Sequence, residues 1–305
     1  MYPTLEPELE VDVEKSKGFS VRNAHYFVTV GRISYLTQAE AKKEAKELGL
    51  TPFKWFETPA PEAMAFNEDT QAFVASTSDA IIVVFRGTET GGDCKNWGIS
   101  DWVTNLDIVP TKFESASGEQ IGYVHSGFNE ALDTVWPGML AEIRKQCEKE
   151  GGQKPVYVAG HSLGGALASL AAARLQLFDG VDVTAVYTIG SPRAFDSTLA
   201  AKYGDVLGKV TFRTVNNNDI VPTLPPGYKH VDTLKYINRD GKVTSGACSF
   251  NRFMDQARAW VDEGISDGID DHSGKEYQAH LARACLAEMG KAAQMILPRN
   301  RRWAH

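Results

Sequence analysis

Ser162 stands in the pentapeptide Gly160–Gly164, which matches the G-x-S-x-G pattern of a serine nucleophile. The strand formers Val156–Val158 precede this pentapeptide, and small apolar helix formers follow it from Ala166 onward. A serine on such a tight strand-to-helix turn is held in a strained backbone conformation, so the residues two positions away must lack bulk. We therefore expect Ser162 at the end of a strand, with a helix N-terminus beside any anion that forms there.

A nucleophilic serine needs an acid and a base, and where this motif opens a helix the acid precedes the base along the chain. Asp219 is the best-placed acid because it follows the strand-like run 210–215 in an Asn-rich turn and precedes apolar residues. An Asx-turn role is the alternative for Asp219. Asp196 precedes a helical run, so we expect it to cap that helix instead.

His272 is the predicted base, because it lies in a polar loop just before a helix and can reach over the sheet edge. The other histidines downstream of the serine are less well placed. His230 falls in a strand-like run, His280 lies inside the last predicted helix, and His305 ends the chain.

Two main-chain N–H groups are needed to stabilise the oxyanion of an acyl-transfer intermediate. The residue after the serine, Leu163, supplies one of them. The second is expected from the loop that follows an earlier strand, Phe85–Thr88, where Gly87 permits close approach. Thr88 could add its hydroxyl to its N–H, so Thr88 and Leu163 are the predicted oxyanion donors.

The elements that position these residues alternate between strands and helices, which predicts a mostly parallel sheet with helices on both faces. Strands are predicted at 53–57, 70–76, 80–86, 155–159, 183–189 and 210–215, with an edge hairpin at 230–237 and 242–244 that turns at Asp240-Gly241. Helices are predicted at 21–36, from the capping box at Thr37 to Gly49, at 129–150 with an interruption near Pro137, at 163–178, 251–264 and 276–296. Residues 1–20 are interpreted as a loose arm and 21–305 as one domain.

Seven segments fall in the order found in the class-three (fungal-type) lipase family, which the chain resembles over about residues 65–290. They are Phe85–Thr88, Asp101–Leu106, Val124–Phe128, Gly160–Gly165, Gly190–Arg193, Asn217–Pro222 and Asp271-His272 with Tyr277. The resemblance implies an α/β-hydrolase fold that acts on carboxylic esters, with the triad Ser162, Asp219 and His272. It also implies that Thr88 and Leu163 are oxyanion donors, and that His125 and Arg193 support the site without reacting.

The segment 89–101 departs from this family, whose members carry a short amphipathic lid helix there. It contains three glycines, and Trp97 and Ile99 are its strongly apolar residues, which favours a loop. The predicted helix 251–265 has one apolar side, for which core packing is favoured over a mobile cap or an acyl-pocket wall. The expected substrate contacts are Trp97, Val221, Leu224 and Ile269.

Composition narrows the possible partners. The formal net charge of −7 argues against a nucleic-acid partner and gives no general attraction to anionic membranes. No apolar run approaches the length of a membrane span, and the acidic N-terminal stretch contains no signal-peptide core. We therefore expect a protein that is intracellular, or secreted after removal of a leader, with transient contact to lipid surfaces as the remaining membrane interaction.

The four cysteines, Cys94, Cys147, Cys248 and Cys285, are too few for a disulfide scaffold at this length and lack metal-ligand spacing. We expect buried thiols or one or two incidental bridges, and neither a metal nor a cofactor. The sequence leaves the oligomeric state open.

The sequence favours a serine carboxylester hydrolase, with acylglycerols and simple fatty-acid esters ranked first as substrates. Feruloyl or phospholipid esters remain alternatives, and acyl transfer to an alcohol would use the same residues. A hydrolase-like binding protein without activity is the remaining alternative, and the complete set Ser162, Asp219 and His272 argues against it.

Overall fold

The computed structural model describes residues 11–13, 18–58, 70–87, 109–149, 154–231, 233–238, 241–246 and 271–296. Within these ranges ten strands are present: β1 (Phe53–Glu57), β2 (Gln71–Ser76), β3 (Ile81–Phe85), β4 (Pro110–Glu114), β5 (Gln120–His125), β6 (Val156–His161), β7 (Val183–Ile189), β8 (Thr211–Asn216), β9 (Thr233–Ile237) and β10 (Val243–Ser245). The same ranges contain the α-helices α1 (Val21–Ile33), α2 (Gln38–Glu47), α3 (Ser126–Lys149), α4 (Leu163–Leu177), α5 (Ser197–Leu207) and α6 (Gly274–Ile296).

Eight of these strands form one sheet in the order β1-β2-β3-β6-β7-β8-β9-β10. Within this sheet β3, β6, β7, β8 and β9 pair in parallel with one another. The pairings of β1 and β2 at one edge and of β10 at the other edge are antiparallel. Because parallel strands need crossover connections, helices lie on both faces of this sheet. The predicted α/β-hydrolase architecture with a mostly parallel sheet is confirmed.

Alternate residues of the central strands enter two separate cores, one on each face of the sheet. From β3, Ile81, Val83 and Phe85 join a core with residues of α3, α4 and α5. Ile82 and Val84 point to the opposite face and join residues of α1, α2 and α6. The strand predicted at 80–86 is therefore confirmed, and it is buried on both faces.

Helix α3 runs without interruption through Pro137 and begins at Ser126, so the predicted start at Asn129 and the break near Pro137 are wrong. Proline removes one i→i−4 hydrogen bond and leaves the carbonyl of Asp133 without its intrahelical donor. Both Asp133 and Pro137 are exposed, so water can satisfy that carbonyl. Buried apolar residues on the other face, such as Leu132 and Met139, hold the helix against the sheet.

The hairpin of β4 and β5 forms a separate two-stranded sheet that the sequence analysis did not predict. Most of its side chains are exposed or half-buried, so no apolar alternation marks it in the sequence. Helix α5 packs beside it, since a Cβ at Gly122 would lie 2.8 Å from Leu199 Cβ. Asp196 caps α5 by accepting from the Leu199 N–H at 2.9 Å, as predicted, and α2 has the predicted capping box.

Candidate active site

Ser162 follows β6 directly, and its backbone has the left-handed φ of 58° with ψ of −131°. Its N–H donates to the Ile189 carbonyl at 2.8 Å, and its carbonyl accepts from the Gly165 N–H at 2.8 Å. A Cβ on Gly160 would collide with the Gly164 carbonyl, and one on Gly164 with the Phe85 carbonyl. The expected reason for these two glycines is therefore visible as a backbone packing requirement around a strained serine.

The structure brings together Ser162, His272 and Asp219, the three residues that the sequence singled out. The His272 Nε2 lies 2.8 Å from the Ser162 Oγ, and its Nδ1 lies 2.9 Å from each Asp219 carboxylate oxygen. All three side chains are buried. The carboxylate can only accept, so Nδ1 carries a proton and Nε2 is left to accept the serine hydroxyl proton.

The order and direction of the strands explain why Ser162, Asp219 and His272 lie close together. Ser162 follows β6 and Asp219 follows β8, and the carboxyl ends of parallel strands meet at one edge of a sheet. His272 lies two residues before α6, which packs against α1 on the same face of the sheet. Of the rival histidines, His280 bonds Asn216 Oδ1 at 2.8 Å and His230 bonds the Pro222 carbonyl. His305 lies outside the described residues.

Both oxygens of Asp219 are anchored by further donors. The Val221 N–H donates to Oδ1 at 2.9 Å, and the Tyr277 hydroxyl donates to Oδ2 at 2.6 Å. The same Tyr277 oxygen accepts from the Asn216 N–H at 2.9 Å. Burial and then the Asp219 carboxylate raise the pKa of Tyr277 well above its ordinary value, so this hydroxyl stays a donor. Tyr277 lies in the last of the seven family-like segments, and no role was predicted for it.

Asp271 joins the loop of the acid to the loop of the base. Its carboxylate accepts from the Asn217 amide at 2.9 Å and the Asn218 N–H at 3.0 Å, and its carbonyl accepts from the Asn216 amide at 3.0 Å. Because His272 is the next residue, these bonds set the position of His272 relative to Asp219. The sequence carried a signal for this clamp in the Asn-Asn-Asn-Asp run, since asparagine side chains donate to neighbouring loops.

Gly190, at the end of β7, has a left-handed φ of 59°. A Cβ there would lie 2.8 Å from Asp219 Oδ2 and 3.0 Å from His272 Nδ1. The absence of a side chain at this position therefore gives the acid and base the space to meet.

His161 is a buried histidine beside the site, and no role was predicted for it from the sequence. Its ring stacks on His272 with 4.9 Å between ring centroids, and its Nε2 lies 2.8 Å from the His272 carbonyl. Its Nδ1 lies 2.9 Å from the Tyr35 hydroxyl. Burial and then the charge of His272 lower the pKa of His161 to about 3, although the carbonyl hydrogen bond opposes this.

Leu163 is the first residue of α4, so its N–H belongs to the first turn, where donors have no intrahelical acceptor. Its predicted partner Thr88 lies outside the described residues. The residue before it, Gly87, is so close to the nucleophile that a Cβ there would lie 2.9 Å from Ser162 Cβ. The chain therefore passes against the serine where the second donor is expected, and the assignment of both donors stays a prediction.

Two of the four predicted substrate contacts, Val221 and Leu224, lie within the described residues. Val221 is fully buried, and its N–H holds the acid. Leu224 is half-buried, and its carbonyl accepts from the Arg193 N–H at 2.6 Å. Trp97, Ile269 and the helix predicted at 251–265 lie outside the described residues, so the substrate pocket stays a prediction.

The proposed supporting residue His125 is buried at the end of β5, where its ring stacks on Phe128 with 4.3 Å between centroids.

Cys147 and Cys285 are thiols, whereas the other two cysteines lie outside the described residues. Across the described part of the chain, no group of three or more His, Cys, Asp or Glu residues is arranged to hold a metal ion. In the same part, no helix has the length and apolar character needed to cross a membrane.

Two of the known proteins to which this chain is similar in sequence are described as lipases. The lipase of Rhizomucor miehei is 34% identical over 189 residues, covering 59% of this chain and 48% of that protein. The secreted mono- and diacylglycerol lipase A of Penicillium cyclopium is 31% identical over 186 residues, covering 58% of this chain and 54% of that protein. The chain thus spans about half the length of the curated relatives it matches.

A solved structure described as a triacylglycerol lipase, whose catalytic centre is formed by a serine protease triad, has the same fold. Its TM-score is 0.59 at 28% identity, over 74% of this chain and 83% of that chain. Residues 82–229 match the family model described as Lipase (class 3). Over this segment the chain is similar to the class 3 lipase family, and its fold is that of an α/β-hydrolase.

Proposed function

We propose that this protein is a serine carboxylester hydrolase that acts on acylglycerols and fatty-acid esters through an acyl-enzyme. One observation carries the proposal. The hydroxyl of Ser162, whose backbone is strained, lies 2.8 Å from His272 Nε2, and His272 Nδ1 lies 2.9 Å from the buried Asp219 carboxylate. This arrangement activates a serine for nucleophilic attack.

In the first half-reaction, His272 Nε2 takes the Ser162 proton while Oγ forms a bond to the ester carbonyl carbon. The Asp219 carboxylate stabilises the resulting imidazolium and keeps its Nδ1–H directed inward. Leu163 and Thr88 are the proposed donors to the oxyanion of the tetrahedral intermediate. The bond from carbon to the alcohol oxygen then breaks, and His272 returns the proton to that oxygen.

In the second half-reaction, a water molecule replaces the alcohol. His272 takes one proton from this water as its oxygen attacks the acyl carbon, and the bond to Oγ breaks. The proton returns to Ser162, so the products are one alcohol and one carboxylic acid.

The substrate class is proposed from the relatives. Two of them are described as a lipase and as a secreted mono- and diacylglycerol lipase, which favours acylglycerols over feruloyl esters. Contact with a lipid surface would then be transient, since the substrates are presented there. Export from the cell is proposed on the same basis.

Replacing Ser162 with alanine tests the mechanism. We expect Ser162→Ala to lower kcat on p-nitrophenyl esters and on emulsified diacylglycerol by at least ~10⁴-fold, because the nucleophile is lost and only binding and oxyanion effects remain. Labelling with a fluorophosphonate should disappear in the same variant.

Ser169→Ala is the matched control, because Ser169 is a buried serine on α4 whose hydroxyl bonds the Gly165 carbonyl. It should retain labelling and turnover. Ester hydrolysis by a folded Ser162→Ala variant at the wild-type rate would rule out the proposed mechanism.

A further inference from the structure

His161 lies between the strand that carries the serine and the loop that carries His272. Its ring is stacked on His272 at an interplanar angle of 29°, and the Tyr277 ring meets it edge-on with 6.0 Å between centroids. Tyr35 is the third titratable group that faces it. A charge on His161 would lie directly beside the imidazolium that the reaction forms on His272, so this reaction needs a neutral His161.

The partners of His161 determine which nitrogen carries its proton. Nε2 lies 2.8 Å from the main-chain carbonyl of His272, and a carbonyl oxygen can only accept, so Nε2 carries the hydrogen. In a neutral ring Nδ1 is then a lone pair and accepts the hydrogen of the Tyr35 hydroxyl at 2.9 Å. Only this tautomer lets His161 hold the main chain of His272.

Tyr35 follows α1, and its hydroxyl serves two loops of the site at once. Gly87, the residue before Thr88, lies against the Tyr35 oxygen, and, opposing the larger effect of burial, its N–H acts to lower the pKa of that hydroxyl. A Cβ on Gly87 would lie 2.5 Å from that oxygen, which shows how closely the two meet. Burial raises the pKa of Tyr35 above its ordinary value, so the hydroxyl keeps the proton that it donates to His161. The Arg86 guanidinium lies over the Tyr35 ring, 5.4 Å from its centroid.

We propose that Tyr35 is a positioning residue for ester hydrolysis: its hydroxyl holds the His161 ring in place through Nδ1, so that Nε2 can hold the His272 main chain, and the same hydroxyl contacts the loop leading to Thr88. This inference rests on the proposed function. Tyr35 touches no reacting atom, and it acts through His161 and Gly87. It lies on the N-terminal side of the segment that matches the class 3 lipase family.

Tyr35→Phe is the test, because it removes the hydroxyl and keeps the ring beneath Arg86. We expect kcat on a water-soluble p-nitrophenyl ester to fall about 10-fold with KM unchanged, in the range found when a supporting hydrogen bond to an active-site group is lost. The rate of fluorophosphonate labelling should fall by the same factor, since it reports the activation of Ser162.

Nitrogen-15 spectra of the histidines supply a readout that a general loss of stability would not produce. Protonated and unprotonated imidazole nitrogens give separate resonances, so the spectra read the tautomer directly. In wild type His161 should be neutral with its proton on Nε2 from pH 8 to pH 5. In Tyr35→Phe the proton should stay on Nε2, because the His272 carbonyl still accepts it, and the Nδ1 resonance should shift because Nδ1 has lost its donor.

Tyr26→Phe is the matched control, because Tyr26 is a buried tyrosine on α1 that packs edge-on against Phe27. It should keep the wild-type kcat and the wild-type His161 spectrum. The inference is overturned if Tyr35→Phe keeps the wild-type kcat or the wild-type Nδ1 resonance of His161. It is also overturned if wild-type His161 carries its proton on Nδ1, an outcome that needs no variant to fold.

Failure of the proposed function would be distinguishable. In that case wild type itself would neither hydrolyse esters nor react with the fluorophosphonate, and the positioning role would fall with the activity. If wild type is labelled and active while Tyr35→Phe is unaltered, the positioning role alone is wrong.

Discussion

At the scale of single residues, the acid of this site is held by more than the histidine it orients. Asp219 accepts from Val221, from Tyr277 and from His272, so its two oxygens cannot rotate without breaking bonds. Held in this position, the carboxylate can stabilise the imidazolium of the proposed mechanism. Tyr277 therefore helps to orient the base through Asp219.

His161 makes a testable contribution to acid stability. Its folded-state pKa is about 3, below the ordinary value of 6.5, so between these values the unfolded state binds a proton that the folded state excludes. The free energy of unfolding should therefore fall as the pH is lowered through this window, by up to ~1.4 kcal/mol per pH unit, and be unaffected by this group above pH 6.5. Urea unfolding at pH 7, 6 and 5 measures it.

His161→Gln should show a shallower loss of stability on acidification than wild type. His280 is half-buried, and burial and then the charge of Arg283 also lower its pKa, so the double variant with His280→Gln should be shallower again. A slope in His161→Gln equal to that of wild type would contradict the buried neutral state of His161.

At the scale of elements, the site depends on the loops that leave the carboxyl ends of β6, β7 and β8. Gly190 gives the acid and base the room to meet, and Asp271 ties their two loops together through three asparagine residues. Asn217 has a left-handed φ of 35°, a conformation that asparagine adopts more readily than most residues with a side chain. The clamp stabilises this conformation.

Asp271→Asn should therefore weaken both stability and activity. Asparagine has one acceptor oxygen where aspartate has two, so either the Asn217 and Asn218 donors at Oδ2 or the Asn216 amide at Oδ1 would face an NH₂ group. We expect a loss of roughly 1–3 kcal/mol in the free energy of unfolding and a fall in kcat of about 10-fold as His272 shifts. Asp182→Asn, at an exposed aspartate that bonds Gln176, should change neither. Wild-type stability and kcat in Asp271→Asn would show that the clamp contributes nothing.

At the scale of the whole molecule, the site is assembled from three stretches of the chain. The family match at 82–229 includes Ser162 and Asp219, whereas His272 and Tyr277 follow it and Tyr35 precedes it. Helices α1 and α6 pack against each other on one face of the sheet, with the Gln278 amide donating to Thr29 Oγ1 at 3.0 Å. This packing brings the chain's early and late segments to the serine.

The response to a lipid surface is a property of the whole molecule. A lid that opens on oil trades buried apolar area for lipid contact at ~25 cal/mol per Å². The sequence of 89–101 offers little such area beyond Trp97 and Ile99. We therefore expect the rate on tributyrin to rise smoothly through the solubility limit, in wild type and in Trp97→Ala. A sharp break in wild type that Trp97→Ala removes would show that this segment is a lid.

The sequence by itself determined the central sheet and the choice of three residues. Strands β3 and β6 are buried and mostly apolar. They can therefore be predicted from their local sequence, without knowing which strands lie beside them. The Gly160–Gly164 turn is likewise a local requirement, because a strained serine excludes side chains two positions away. Asp219 and His272 could be selected because chain order and loop position are visible in the sequence.

Only the tertiary structure decided what surrounds those residues. Helix α3 continues through Pro137 because the Asp133 carbonyl is exposed to water. The β4–β5 hairpin forms by pairing at the surface, which leaves no apolar pattern in the sequence. Tyr35 and His161 are 126 positions apart, and Tyr277 and Asp219 are 58 apart. Hydrogen bonds of this kind depend on where whole helices pack against the sheet, and neither residue type nor spacing along the chain encodes that distance.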